Sequence, residues 1–203
     1  MALNNERFTF SSSTPRVVFG PDSINTLAEE LQRLGSKLPV IVCSPTRSSL
    51  ADTIRCILED ASIPIAGILD RAVVHIPIDI TEDSVAYVQN KRADCVISVG
   101  GGSAVGLGKA ICFRTGLPHI CIPTTYSGSE MTAILGELKD GKKVAVTDPK
   151  ILPSTIIYDV TLTMQLPKHL TSVSGLNAMA HSGTVLTLCH NEGYGAITDE
   201  WNS

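Results

Sequence analysis

The chain has 203 residues, 43% of them hydrophobic, and a formal net charge of −4. That apolar content can build a sizeable core and excludes a disordered chain, while the acidic balance, with no basic cluster, argues against nucleic acid as a partner. No run approaches the ~18 apolar residues of a membrane span, and the polar stretch Met1-Ala-Leu-Asn-Asn-Glu-Arg-Phe8 carries no apolar signal region, so a soluble, cytoplasmic protein is expected, with no membrane as partner.

In chain order, Arg16-Val-Val-Phe-Gly20 reads as a short strand ending in a turn at Gly20-Pro21. Asp22 or Ser23 is expected to cap the helix that follows, because a short oxygen-bearing side chain satisfies free N–H groups. Ile24, Leu27, Leu31 and Leu34 fall on one helical face, and Gly35 ends it. Pro39 to Cys43 is a second strand, and Leu50, Ile54, Ile57 and Leu58 mark a second helix. Ile65 to Leu69 is a third strand, and Val85 and Val88 sit on a third, more polar helix. Asp94 to Val99 is a strand, with a helix from about Ser103 to Thr115. His119 to Ile122 and Thr155 to Tyr158 complete the strands, and Asp140-Gly141 marks a hairpin turn. Strand and helix alternate with short connections, which predicts an α/β fold: a parallel, Rossmann-like sheet with helices on both faces. Six scattered cysteines without a CxxC pair fit a reduced compartment.

The stretch Val96-Ile-Ser-Val-Gly-Gly-Gly-Ser-Ala-Val-Gly-Leu-Gly-Lys-Ala110 is the most informative. A buried strand breaks into Gly100, Gly101 and Gly102, then Ser103 opens a helix. Glycines can take positive φ and let a ligand approach the backbone, and the helix N-terminus attracts an anion. The pyrophosphate of a nucleotide is the expected ligand; a ligand-free structural turn is the alternative. The usual dinucleotide fingerprint fails, because Val105 stands where its last glycine belongs. A P-loop fails too, because Ala110 follows Gly108-Lys109. Lys109 therefore reads as a solvated helix residue rather than a phosphate clamp.

The second loop after a strand is Ile122-Pro-Thr-Thr-Tyr-Ser-Gly-Ser-Glu-Met-Thr132. Together with Gly100 to Ser103, Asp148-Pro149, Leu152-Pro153, Ile157-Tyr-Asp159, Leu166-Pro167 and Ser174-Gly-Leu-Asn-Ala-Met-Ala-His181, it resembles the iron-containing alcohol dehydrogenase superfamily. The most similar branch is maleylacetate reductase, whose pattern reads PTTYxGSEMT and SGxNAxAH. The resemblance implies an N-terminal domain over residues 1–166 that holds NAD or NADP, and a helical domain of which residues 167–203 are the start. It implies that Gly100, Gly101, Gly102 and Ser103 hold the pyrophosphate, with Thr124, Thr125 and Ser129 along the adenosine and nicotinamide side. On spacing alone, Thr124 and Thr125 read rather as a strand-end turn whose hydroxyls bond local backbone. The strand ending at Cys43 lacks the acidic residue that grips a ribose 2′-hydroxyl, so Ser44, Thr46 and Arg47 admit NADPH as well as NADH.

The metal-dependent branch carries an Asp and a His four residues apart on one helix face, the spacing that aims both into one cleft. Here those positions are Asn177 and His181, and an amide is a weak, neutral ligand, so no metal is expected. His181 is expected to assist proton delivery, with Asn177 and Tyr126 positioning a small-molecule substrate. The pattern stops after His181, and Gly183, Gly193 and Gly195 weaken a continuing helix. A truncated family member is expected, whose uncovered face favours a homo-oligomer. The leading expectation is an NAD(P)H-dependent reductase acting on a carbonyl or enone of a small carboxylated substrate. Two alternatives stay open: an isomerase, cyclase or lyase using a pocket around Tyr126, Ser129, Glu130 and His181, and a non-catalytic nucleotide- or partner-binding remnant.

Overall fold

The computed structural model describes residues 14–164 and 166–190, and the side chains of that range up to residue 180. The chain runs β1 (Arg16–Gly20), α1 (Leu27–Leu34), β2 (Pro39–Val42), α2 (Ser48–Asp60), β3 (Gly67–Leu69), α3 (Ile78–Asn90), β4 (Cys95–Gly100) and α4 (Gly102–Thr115). It continues with β5 (His119–Pro123), β6 (Ile134–Lys139), β7 (Lys142–Thr147), β8 (Thr155–Asp159), α5 (Val160–Met164) and α6 (Lys168–His190). Six strands form one parallel sheet in the order β1-β8-β5-β4-β2-β3. The α/β class read from the alternation of elements is the observed one.

Both sheet faces are covered, which is why β2 and β4 are buried along their whole length and read as continuous apolar runs. On one face Leu27 and Leu31 of α1 and Ile54 and Leu58 of α2 pack on Ile41, Ile97 and Ile120. On the other, Val88 of α3 and Leu107 and Ile111 of α4 pack on Val40, Val42 and Val96. Each fully buried Leu or Ile contributes roughly 1.5–3 kcal/mol to this packing. Strand order reverses between β2 and β4, and ligands in such sheets bind in the crevice beyond the carboxyl ends at that reversal. The glycine turn lies at the end of β4.

Three local readings need correction. Neither Asp22 nor Ser23 caps the first helix with its side chain: Asp22 is left-handed at φ 56°, and a 3-10 turn over Ser23–Thr26 precedes α1. The carboxylate of Asp159, at the end of β8, does that work from 137 positions away, accepting the N–H groups of Asp22 and Ile24 at 3.1 Å each. The third strand is shorter than expected, pairing only over Gly67–Leu69. And α6 continues past Gly183 to His190. The hairpin of β6 and β7 turns at Asp140 (φ 50°) and Gly141 (φ 74°), both left-handed as a two-residue turn requires. Among the described residues no helix is long and apolar enough to cross a membrane.

Candidate functional site

The site begins where β4 stops. Gly100 has φ 141°, a conformation that strains any side chain, and α4 starts two residues later with Gly101 as its N-cap. No side chain caps this helix and no acidic residue occupies its first turn. The leading N–H groups of a helix have no acceptor within it, so this end keeps its donors and its positive dipole for an anion.

The loop after β5 folds over the turn. The N–H of Thr124 donates to the carbonyl of Gly100 at 2.9 Å. A Cβ on Gly101 would lie 3.2 Å from Cγ2 of Thr125, and one on Gly102 would lie 3.7 Å from the Ser127 side chain. The Ser127 hydroxyl is buried and has no partner among the described residues. A buried hydroxyl beside free helix N–H groups can be satisfied by an ordered water or by an oxygen-bearing ligand. The cradle therefore fits a diphosphate: it has donors, no negative side chain, and no Cβ in the way.

Gly100 to Ser103, Thr124 and Thr125 thus lie together at this turn, and Ser127, which no sequence pattern singles out, lies beside them. Ser129 opens a 3-10 turn over Ser129–Met131, and its carbonyl is engaged by Lys109. Tyr126, 42% exposed, lines an apolar cavity of about 550 Å³ together with Phe19, Thr125, Glu130, Met131 and Tyr158. Asn177 is exposed on α6 and does not belong to that wall. The side chain of His181 lies outside the described residues. Among the described residues no three His, Cys, Asp or Glu side chains gather in a metal-holding group.

Lys109 is not the solvated residue its sequence context implied. It is fully buried, and its ammonium donates to the carbonyls of Ser129 (2.6 Å) and Ile134 (2.8 Å) and to Oγ1 of Thr132 (3.2 Å). Nine consecutive residues of α4, Ala104 to Cys112, are buried, so this helix has no solvent face there for a lysine to use. A single charge within Ala104-Val-Gly-Leu-Gly-Lys-Ala-Ile-Cys112 was the available signal. Burial pushes its pKa down to about 8. Around it, burial pushes His119 down to about 3 and the Cys121 thiol up to about 12. Tyr158 donates to Oε1 of Glu130 at 3.0 Å, and burial, with the Glu130 carboxylate, raises its pKa.

A parallel sheet with a glycine turn and an open helix N-terminus at its reversal belongs to the doubly wound α/β class. Comparison with known proteins makes the class specific: the iron-containing alcohol dehydrogenase family model matches residues 14–160, and the chain belongs to that family. It is similar to maleylacetate reductases. That of Rhizobium sp. (strain MTP-10005) is 42% identical over 179 residues, covering 88% of this chain and 50% of that protein. That of Burkholderia cepacia is 41% identical over 179 residues, with the same coverage. The crystal structure of maleylacetate reductase from Agrobacterium tumefaciens superposes with a TM-score of 0.85 at 40% identity, covering 90% of this chain and 51% of that one. The chain spans about half the length of these relatives.

Proposed function

We propose that this chain forms the dinucleotide-holding half of an NAD(P)H-dependent reductase of the maleylacetate reductase kind, acting on a carbonyl or enone of a small carboxylated substrate. The observation that carries it is the orphan Ser127 hydroxyl facing an uncapped helix N-terminus across Gly102. Gly101, Gly102 and Ser103 would bind the diphosphate through backbone N–H groups, and Thr124, Thr125 and Ser129 would flank it. A reduced nicotinamide supplies a hydride when bound. Tyr126, on the wall of the neighbouring apolar cavity, would orient the substrate and help exclude water. His181 would deliver the proton, and Asn177, one helical turn before it on α6 and outside the cavity wall in this chain, would position the substrate.

Either reduced cofactor suits the loop after β2. Ser44, Thr46 and Arg47 stand there without a carboxylate to repel a 2′-phosphate. An exposed apolar set on α6, comprising Leu170, Val173, Leu176 and Met179, supports self-association. The test is titration of the purified chain with NADH and NADPH, followed by oxidation assays with maleylacetate-like and aldehyde substrates. Saturable binding of either nucleotide is expected. No binding of either would overturn the proposal, and substrate conversion without added nicotinamide would favour a redox-free isomerase, cyclase or lyase.

A further inference from the structure

The helix that offers its N-terminus to the ligand also holds the opposite wall of the site. Gly102, its first residue, and Lys109 are seven positions apart, two helical turns. From that second point α4 reaches into the loop after β5. Its ammonium has three donors and meets three acceptors, all on residues 129–134, and none of them is charged. The same loop carries Thr125, Tyr126 and Ser127 toward the glycine turn. Its far side is held by the Tyr158 hydroxyl on Glu130. A buried lysine that only filled space would be better replaced by an apolar residue, because burying a cation is costly.

We infer that Lys109 is a positioning residue: its buried ammonium fixes the loop bearing Thr125, Tyr126 and Ser127 against the glycine turn, and so sets the affinity of the ligand held between them. For NADH as that ligand, the inference rests on the nucleotide proposal above. Loss of the ammonium takes the donor from the Ile134 carbonyl and leaves the Ser129 carbonyl only its local bonds from Thr132, so nothing on α4 holds the loop at that point. Neutralisation has a milder effect, since an amine keeps only two of three N–H donors. Lys109 is the group that titrates near pH 8 in this cluster. His119 and Cys121 on β5 and Tyr158 on β8 change charge well outside that range. Glu130 is on the loop itself, and Glu137 on β6 is paired with Arg114 at 2.9 Å.

Three variants test this with two readouts: NADH titration from pH 6.5 to 9.5, and hydrogen exchange of residues 127–134 at pH 7. Wild-type affinity should weaken severalfold as pH rises through about 8. Lys109→Met should weaken NADH by about tenfold or more at pH 7, speed exchange in 127–134, and remove the inflection. Lys109→Arg, charged at every pH used, should restore affinity and stay flat. A folded Lys109→Met with wild-type affinity and exchange would overturn the inference, as would an inflection surviving in Lys109→Arg. Should Lys109→Met not fold, Thr132→Val removes one acceptor of the ammonium together with the bond its hydroxyl donates to the Ser129 carbonyl: severalfold weaker binding with faster exchange supports the clamp, and unchanged values overturn it. Absence of NADH binding by wild type would sink the nucleotide proposal instead, leaving the exchange comparison to decide for or against the clamp.

Discussion

A Cβ on Gly108 would lie 2.6 Å from Nε2 of His119, the nitrogen that sits 2.7 Å from Oγ of Ser98. The closest approach of α4 to the sheet therefore depends on a missing methyl group. Helix propensity alone favours alanine over glycine by ~1 kcal/mol. Here the neighbour is a ring fixed on a central strand by its bond to Ser98, so it cannot swing away. Overpacking a fixed site costs roughly 1–3 kcal/mol and outweighs the propensity gain. Gly108→Ala should lower the thermal midpoint by several degrees. A rise in midpoint would show that α4 can lift off β5 without cost.

His119 itself predicts a pH dependence. It is buried on β5 with Nδ1 unpartnered among the described residues, and burial, with Lys109 adding repulsion, holds its pKa near 3 against 6.5 for the free side chain. The unfolded chain takes up a proton near pH 6.5 that the folded chain refuses until about pH 3. Stability from this residue is full above about 6.5 and falls as pH drops toward 3, by up to ~1.4 kcal/mol per pH unit. Urea titrations between pH 7 and 4 should show that slope, and His119→Gln should flatten it. An equal slope in both proteins would assign it elsewhere.

Asp159 predicts an acid loss at lower pH. Burial would raise its pKa, but hydrogen bonds from Thr161, Ile24 and Asp22 outweigh this and lower it from 3.8. Its stabilisation is present above about 3.8 and is lost as pH falls through the lowered folded value. The carboxylate ties the end of β8 to the start of α1 through Asp22 and Ile24, and to α5 through Thr161 at 2.9 Å. Asp159→Ala should destabilise by about 2–3 kcal/mol at pH 7, shrinking toward pH 3 when compared by denaturant melts.

Why some of this was legible and some was not is clear from individual residues. The strands β2, β4 and β5 and the helix face of Leu27 and Leu31 declare themselves because local periodicity and burial coincide. The glycine turn is equally plain, since strand, glycines and helix are contiguous. The Asp159 cap was invisible because its partners are 137 and 135 positions away, and no local pattern encodes that. Lys109 departs from its local context for a related reason: lysine is solvated on most helices, and its burial here depends on a loop 20 residues downstream. Gly106 and Gly108 look like flaws in α4 by propensity, yet a Cβ on Gly106 would overlap Cδ1 of Ile76. Ser127 carries no local signal, because an unpaired hydroxyl is a property of packing, not of spacing.

The glycine turn predicts a clean separation of binding from folding. Gly101 has φ −83° and ψ −166°, extended backbone that valine tolerates. Its Cβ would sit 3.2 Å from Cγ2 of Thr125, and the branched methyls would extend into the space where the diphosphate is placed. Gly101→Val should weaken NADH and NADPH by about tenfold or more, the loss of one to two good hydrogen bonds, while the thermal midpoint moves only a few degrees. Equal nucleotide affinity in both proteins would move the diphosphate elsewhere.

Metal removal is the last expectation, and it rests on chemistry at α6. In the metal-dependent branch a carboxylate and an imidazole four residues apart reach into one cleft. This chain has Asn177 at the first position, exposed on α6, and His181 at the second. A neutral amide gives a divalent cation neither charge nor a strong σ donor, and zinc or iron sites need three or four strong ligands. With an amide in place of the carboxylate, this pair offers one strong ligand where the metal-dependent branch has two. Prolonged treatment with EDTA should leave nucleotide affinity, any turnover and the thermal midpoint unchanged, and elemental analysis should find far less than one zinc or iron per chain. Asn177→Asp, which restores the carboxylate at that position, should raise metal retention. Stoichiometric metal in the wild type, with nucleotide binding or activity lost on its removal, would place this chain with the metal-dependent branch.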